Sequence, residues 1–115
     1  NKLNINNSQN DCIDMSFGSY KILKANIKNC GDKGVSVGEK SKVSIKELNI
    51  NNVVIGVASK DSSDVFIDKS NIDSQICFAA YRKKQEFSGS ILTYNKTNCN
   101  SEKFAKQIGS KILKK

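Results

Sequence analysis

Asn4-Ile5-Asn6-Asn7, Asn26-Ile27-Lys28-Asn29, Asn49-Ile50-Asn51-Asn52 and Asn71-Ile72-Asp73-Ser74 are copies of one tetrapeptide, with a worn fifth at Asn95-Lys96-Thr97-Asn98. Their first asparagines stand 22, 23, 22 and 24 residues apart. A fixed period of this length marks a stacked repeat, in which each unit buries its apolar side only against the next. Between the copies apolar and polar residues alternate, as in Val43-Ser44-Ile45, Val65-Phe66-Ile67 and Gly34-Val35-Ser36-Val37. That period of two argues for strands, and Gly38-Glu39-Lys40-Ser41, Lys60-Asp61-Ser62-Ser63 and Asn29-Cys30-Gly31-Asp32 read as turns between them. Three short strands per repeat describe one rung of a right-handed parallel β-helix. Leucines are too few and out of register for a leucine-rich repeat, and no heptad-like spacing supports a helical one.

Aligned rung by rung, Ile22, Ile45, Ile67 and Ile91 are expected to form one interior column, and Ile5, Ile27, Ile50 and Ile72 a second. With rungs about 4.8 Å apart, four to five of them make a stub of roughly 24 Å. Asparagines repeated at one register can form amide ladders, because a carboxamide both donates and accepts. The expected ladders are Asn4, Asn26, Asn49, Asn71 and Asn95, and beside them Asn7, Asn29, Asn52 and Asn98.

The division expected is residues 1–100 as rungs and 101–115 as a C-terminal capping helix. Phe104, Ala105, Ile108, Ile112 and Leu113 fall at helical spacing among lysines, with Asn100 or Ser101 as the N-cap. An alternative task for such a basic amphipathic helix is to lie on an anionic membrane or a partner. The sequence has no apolar run of transmembrane length. It opens in the middle of a repeat without an initiator methionine, which reads as the C-terminal piece of a longer polypeptide with upstream domains.

A net charge of +8 raises the question of nucleic acid, but no nucleic-acid motif accompanies it and aromatic interleaving is thin. The lysines and arginine spread over outward positions as on a solvated face, which an anionic polysaccharide could also use. Cys30 and Cys99 are read as equivalent positions three rungs apart, and Cys12 and Cys77 likewise, too distant for disulfides, while mixed pairs would have to cross between different columns and rungs. With no histidine and no Cys-x-x-Cys pair, a zinc site is not expected; the cysteines read as small buried residues and no metal or cofactor is implied.

Asp11, Asp14, Lys33, Glu39, Lys60, Asp61, Tyr81, Arg82, Lys83 and Glu86 fall on or just after the same strand of successive rungs. Rung spacing would set such groups close enough to perturb one another. The band reads as a groove for an anionic polysaccharide, or as a lyase or epimerase site. In the second case Arg82, Lys60 or Lys83 would take the proton α to a uronate carboxylate, with Asp11 and Asp14 placing a cation. A third reading is a ladder of alternating charges on a structural stalk.

The runs Asn10-Asp11-Cys12-Ile13-Asp14, Lys33 to Ser41, Gly56 to Ser63 and Cys77 to Phe87 resemble the β-helix region at the C-terminal end of large bacterial proteins. Some of those carry a kinase-like domain similar to spore coat protein H. The resemblance spans roughly residues 10 to 100, and more broadly it is to the pectate-lyase-like superfamily. It implies a right-handed β-helix and a polysaccharide-associated or cell-envelope setting. The paired aspartates and histidine of the pectin-hydrolase pattern are missing, and the calcium-binding acids of pectate lyases are reduced to isolated residues. The expectation is therefore a non-catalytic module of a larger bacterial envelope or polysaccharide-associated protein that binds a glycan or a protein partner along the charged band.

Overall fold

The computed structural model describes residues 2–115 and forms a single stack of parallel strands. In chain order these are β1 (Lys2–Ser8), β2 (Ile13–Ser16), β3 (Ser19–Cys30), β4 (Lys33–Gly38), β5 (Lys42–Lys60), β6 (Asp64–Tyr81), β7 (Ile91–Cys99), β8 (Phe104–Lys106) and β9 (Lys111–Lys114). The longest strands bend round corners, with a register shift between Asn51 and Val53 in the β5–β6 pairing, so that β5 and β6 each run through all three sides of a turn. The result is a parallel β-helix of about five turns with a repeat near 22 residues. Its extents are 32 × 26 × 26 Å.

Three faces follow from the pairing. A valine-isoleucine face stacks Val43, Val65, Leu92 and Ile112. An asparagine face stacks Asn4, Asn26, Asn49, Asn71 and Asn98, each followed by Ile5, Ile27, Ile50, Ile72 and Cys99. A small-residue face stacks Asp14, Ser36, Ala58, Ala79 and Ala105 beside Ile13, Val35, Val57, Phe78 and Phe104. Ile45, Leu48, Val57, Val65, Ile67 and Phe78 have no solvent exposure. Their neighbours above and below are side chains of the same kind, which is how so small a solenoid keeps a dry core.

Three sequence expectations are corrected. First, 101–115 is not a helix: it continues the solenoid, with β8 pairing β6 and β9 pairing β7. The exposed edge of the preceding turn offers unpaired backbone groups in register, and a strand satisfies them where a helix cannot. Ser110 N–H donates to Gln107 carbonyl across a turn whose Gly109 has φ +89°, and the apolar Ile108 there is fully exposed. Buried Phe78 packs with half-buried Tyr94 and the exposed Phe104, ring centroids 5.0 to 5.5 Å apart, near this end.

Second, the fifth rung is displaced by three residues. Segment 82–89 inserts between β6 and β7, so Tyr94, not Ile91, stands beside Ile67, and Asn98, not Asn95, stands beside Asn71. Ile91 is consequently exposed, and Asn95 instead donates to Asp68 at 2.9 Å.

Third, all four cysteines are bonded, as Cys12–Cys30 and Cys77–Cys99, with Cα separations of 5.6 and 6.2 Å. Each pair joins neighbouring rungs across one corner. Cys30 lies beside Ser8, just before the corner, and Cys12 donates its N–H to Lys33, just after it. The mixed pairs do cross between columns, but by a single rung at a corner, and that diagonal lies within disulfide reach.

Candidate functional site

The asparagine face is built by side chains that hydrogen-bond to their own copies. Asn26 Nδ2 donates to Asn4 Oδ1 at 3.0 Å, Asn49 to Asn26 at 2.9 Å and Asn71 to Asn49 at 3.2 Å. At the adjoining corner Asn29 donates to Asn7 at 3.1 Å and Asn52 to Asn29 at 2.9 Å. Asn7, Asn29 and Asn52 have φ of 65°, 60° and 61°. Asparagine tolerates this left-handed region better than other side chains, so one residue turns the chain and also links it to the next rung.

Between the first ladder and the column two residues on lies a groove of about 670 Å³. One wall is Asn4, Asn26, Asn49, Asn71 and Asn98; the other is Asn6, Lys28, Asn51, Asp73 and Asn100. It crosses every layer of the asparagine face, and Lys28 and Asp73 are its only charged lining residues. A smaller hollow of about 260 Å³ lies round the corner against Asn29, Asn52 and Gln75.

The ionisable band expected from sequence divides into separate groups. In one, Lys33 Nζ bonds Asp32 at 2.8 Å while Asp11 accepts the Lys33 N–H at 3.1 Å. Burial pulls the Lys33 ammonium down, but the Asp32 hydrogen bond and the charges of Tyr81, Asp11 and Asp32 outweigh it and leave its pKa raised. Burial pushes the Tyr81 phenol up, against the opposing effect of Lys33. Lys33 therefore stays cationic and Tyr81 neutral at ordinary pH, which suits neither to act as a base. Ser36, within β4 beside Ala58, has a buried hydroxyl with no hydrogen-bond partner.

The second group surrounds the inserted segment 82–89, which forms a strap over the corner after the small-residue face. Buried Asp61 receives the N–H groups of Lys83 and Lys84 at 2.7 and 2.8 Å, so its carboxylate holds the strap in place. Lys84 pairs with Glu39, which also accepts from Ser16 at 2.9 Å, and Phe87 meets Phe17 at 6.3 Å. Lys60 passes over Gly38, where an added Cβ would lie 3.6 Å from its Cε. Arg82, Lys83 and Glu86 are exposed on the strap, and Asp14 is exposed on β2.

Among the described residues no hydrogen bond or ion pair joins the side chains of Arg82, Lys60 and Lys83. Nor do three or more acidic or cysteine side chains gather to hold a cation. The fold thus brings Asp11 to Lys33 and Asp61 to the backbone of the strap, and leaves the side chains of Arg82, Lys83 and Asp14 exposed. No helix among the described residues is long and apolar enough to cross a membrane.

Both ladders are legible in the sequence, but not the groove that the first of them walls, nor a buried serine column. Ser41 N–H donates to Ser63 Oγ, Ser63 N–H to Ser90 Oγ and Ser90 N–H to Ser110 Oγ, at 2.9 to 3.3 Å. A signal for it exists in Ser41-Lys42-Val43, Ser63-Asp64-Val65, Ser90-Ile91-Leu92 and Ser110-Lys111-Ile112. No family model, curated protein or solved structure matches the chain.

Proposed function

We propose that the chain is a non-catalytic binding module whose ligand is a glycan held lengthwise in the asparagine groove. The observation that carries this reading is the groove's continuity: a polar side chain stands on both walls in every one of its layers. A linear polymer is the ligand class that can use equivalent positions at successive rungs, with small gains adding along its length. Binding pockets are concave surfaces with a few convergent polar groups, and this is the larger of the two hollows described above.

The setting proposed is a larger bacterial envelope or polysaccharide-associated protein, in line with the sequence resemblance to pectate-lyase-like β-helices. Two disulfides support an oxidising compartment, where such bonds form and persist. A second reading places an anionic polysaccharide on the charged band, and the net charge of +8 favours it. Against it, Lys33 and Lys84 are already engaged with Asp32 and Glu39.

The test is an array of neutral and acidic bacterial polysaccharides probed with the purified protein, with absorbance at the unsaturated-uronate band followed in parallel. Binding without absorbance supports a recognition module. Rising absorbance, abolished by Arg82→Ala in a folded protein, would make it a lyase. Binding that declines stepwise across substitutions of Lys33, Lys60, Tyr81 and Lys83 would place the ligand on the charged band. Silence throughout leaves a structural stalk.

A further inference from the structure

Building on that reading, we infer that the groove selects a neutral, hydroxyl-rich chain lying parallel to the solenoid axis, with one repeating unit of the ligand per rung. Three observations lead there. The first is charge. On a chain of net charge +8, the groove lining carries one lysine and one aspartate, Lys28 and Asp73, and is otherwise asparagine and isoleucine. An anion drawn to this protein by its field would find stronger positive potential elsewhere.

The second is the hydrogen-bonding capacity left over. A carboxamide has two N–H donors and two acceptor lone pairs. Within the ladder Asn26 and Asn49 each give one N–H to the rung before and accept one from the rung after. Each keeps one donor and one acceptor site free. A hydroxyl, which donates and accepts through one oxygen, complements that pair. A carboxylate or sulfate only accepts, and would set its negative oxygens against the unused amide carbonyls. The opposite wall adds carboxamides at Asn6, Asn51 and Asn100, where Asn6 accepts one bond from Asn29 and Asn100 one from the Ser74 N–H, which leaves both Nδ2 donor pairs for a hydroxyl.

The third is order. The ladder bonds fix the amides before any ligand arrives, so less side-chain freedom is lost on binding. Their spacing of about 4.8 Å is set by the strand ladder and is comparable with the repeat of an extended pyranose chain. The lining contains no aromatic ring, so recognition is through hydroxyl edges and not by stacking on sugar faces.

The experiment is calorimetric titration with dextran, galactomannan and mixed-linkage β-glucan, against polygalacturonate and alginate, each at low and high salt. The variants are Asn51→Ala, which lies outside the ladder, Asn49→Ala, which lies within it, and Lys28→Ala. Circular dichroism checks that each remains folded. Expected is binding of at least one neutral polymer with little salt dependence, weakened roughly three- to ten-fold by Asn51→Ala and within about two-fold of the parent in Lys28→Ala. Preference for the acidic polymers, with affinity falling at high salt and in Lys28→Ala, overturns the neutral ligand and leaves the binding module standing. Neutral binding that ignores Asn49 and Asn51 but fails in a fourth variant, Lys33→Ala, moves the site away from the groove and overturns both the inference and the groove as the binding site, leaving only a glycan-binding module. Absence of binding to every polymer overturns both.

Discussion

The asparagine face and the strapped corner solve the same problem in opposite ways. Both must place polar side chains at rung spacing, where like groups become close neighbours. On the asparagine face identical neutral amides hydrogen-bond along the stack and finish with capacity unused. At the corner, charged side chains from separate rungs are matched with each other or with backbone: Glu39 with Lys84, and Asp61 with the strap N–H groups. The first arrangement repeats and stays open to a ligand. The second is particular to one insertion and largely satisfies itself.

The largest expected effect comes from the staples that hold the two regions together at the intervening corner. Cys12–Cys30 and Cys77–Cys99 close loops with sequence separations of 18 and 22 residues, each of which should stabilise the fold by about 3 kcal/mol. Cys12→Ser with Cys30→Ser should lower stability by that amount in denaturant titration, and reductant should remove both contributions. A reduced protein with an unchanged midpoint would mean that stacking alone holds the corner. Next is Asp61→Ala, which strands two N–H groups of the strap. A cost of about 1–3 kcal/mol is expected, with faster proteolysis within 82–89, while the asparagine ladder stays intact by amide NMR.

The contrast also explains what could be read in advance. The β-helix, its period, the first asparagine ladder through the fourth tetrapeptide and the second through the third were legible, because a ladder requires the same residue at the same register. The fifth rung was not: an insertion at 82–89 shifts the period, and the tetrapeptide at 95–98 resembles its predecessors at the wrong offset. The Ser-x-apolar triplets at 41, 63, 90 and 110 carry the true register, since a buried hydroxyl that receives a backbone N–H cannot drift. They also point to strand where helical spacing at 104–113 suggested otherwise. The charged band was legible as composition only. Which acids meet which bases depends on where the strap lands, and no periodicity encodes that.

Within the asparagine face, Asn49→Ala removes two ladder bonds, to Asn26 and from Asn71. Both are exposed to water, so the stability cost should be about 0.5–1.5 kcal/mol, smaller than at Asp61. A loss as large as that of Asp61→Ala would show the ladder to be a principal support of the fold, and the distinction between an open and a self-satisfied region would fail. Stability of this face should also be insensitive to pH, because its amides do not titrate.

The corner should respond to pH, though weakly. The hydrogen bond from Lys84, then that from Ser16, hold the Glu39 carboxyl below its ordinary value against some desolvation. The Glu39 hydrogen bond raises Lys84 in turn. A carboxylate depressed on folding contributes stability above its unfolded pKa and loses it as pH falls through the folded one; a raised lysine contributes below its unfolded pKa and loses it as pH climbs through the folded one. The pair is thus intact across neutral pH and weakened at both extremes. Both groups are solvated, so salt should weaken it as well. Proteolysis of the strap, followed against pH, should accelerate on the acid side in the parent and stay flat there in Glu39→Gln. Lys84→Ala should flatten the alkaline side too. If the acid limb persists in Glu39→Gln, the surface pair does not govern the acid response of the corner, and the contrast with the asparagine face no longer rests on it.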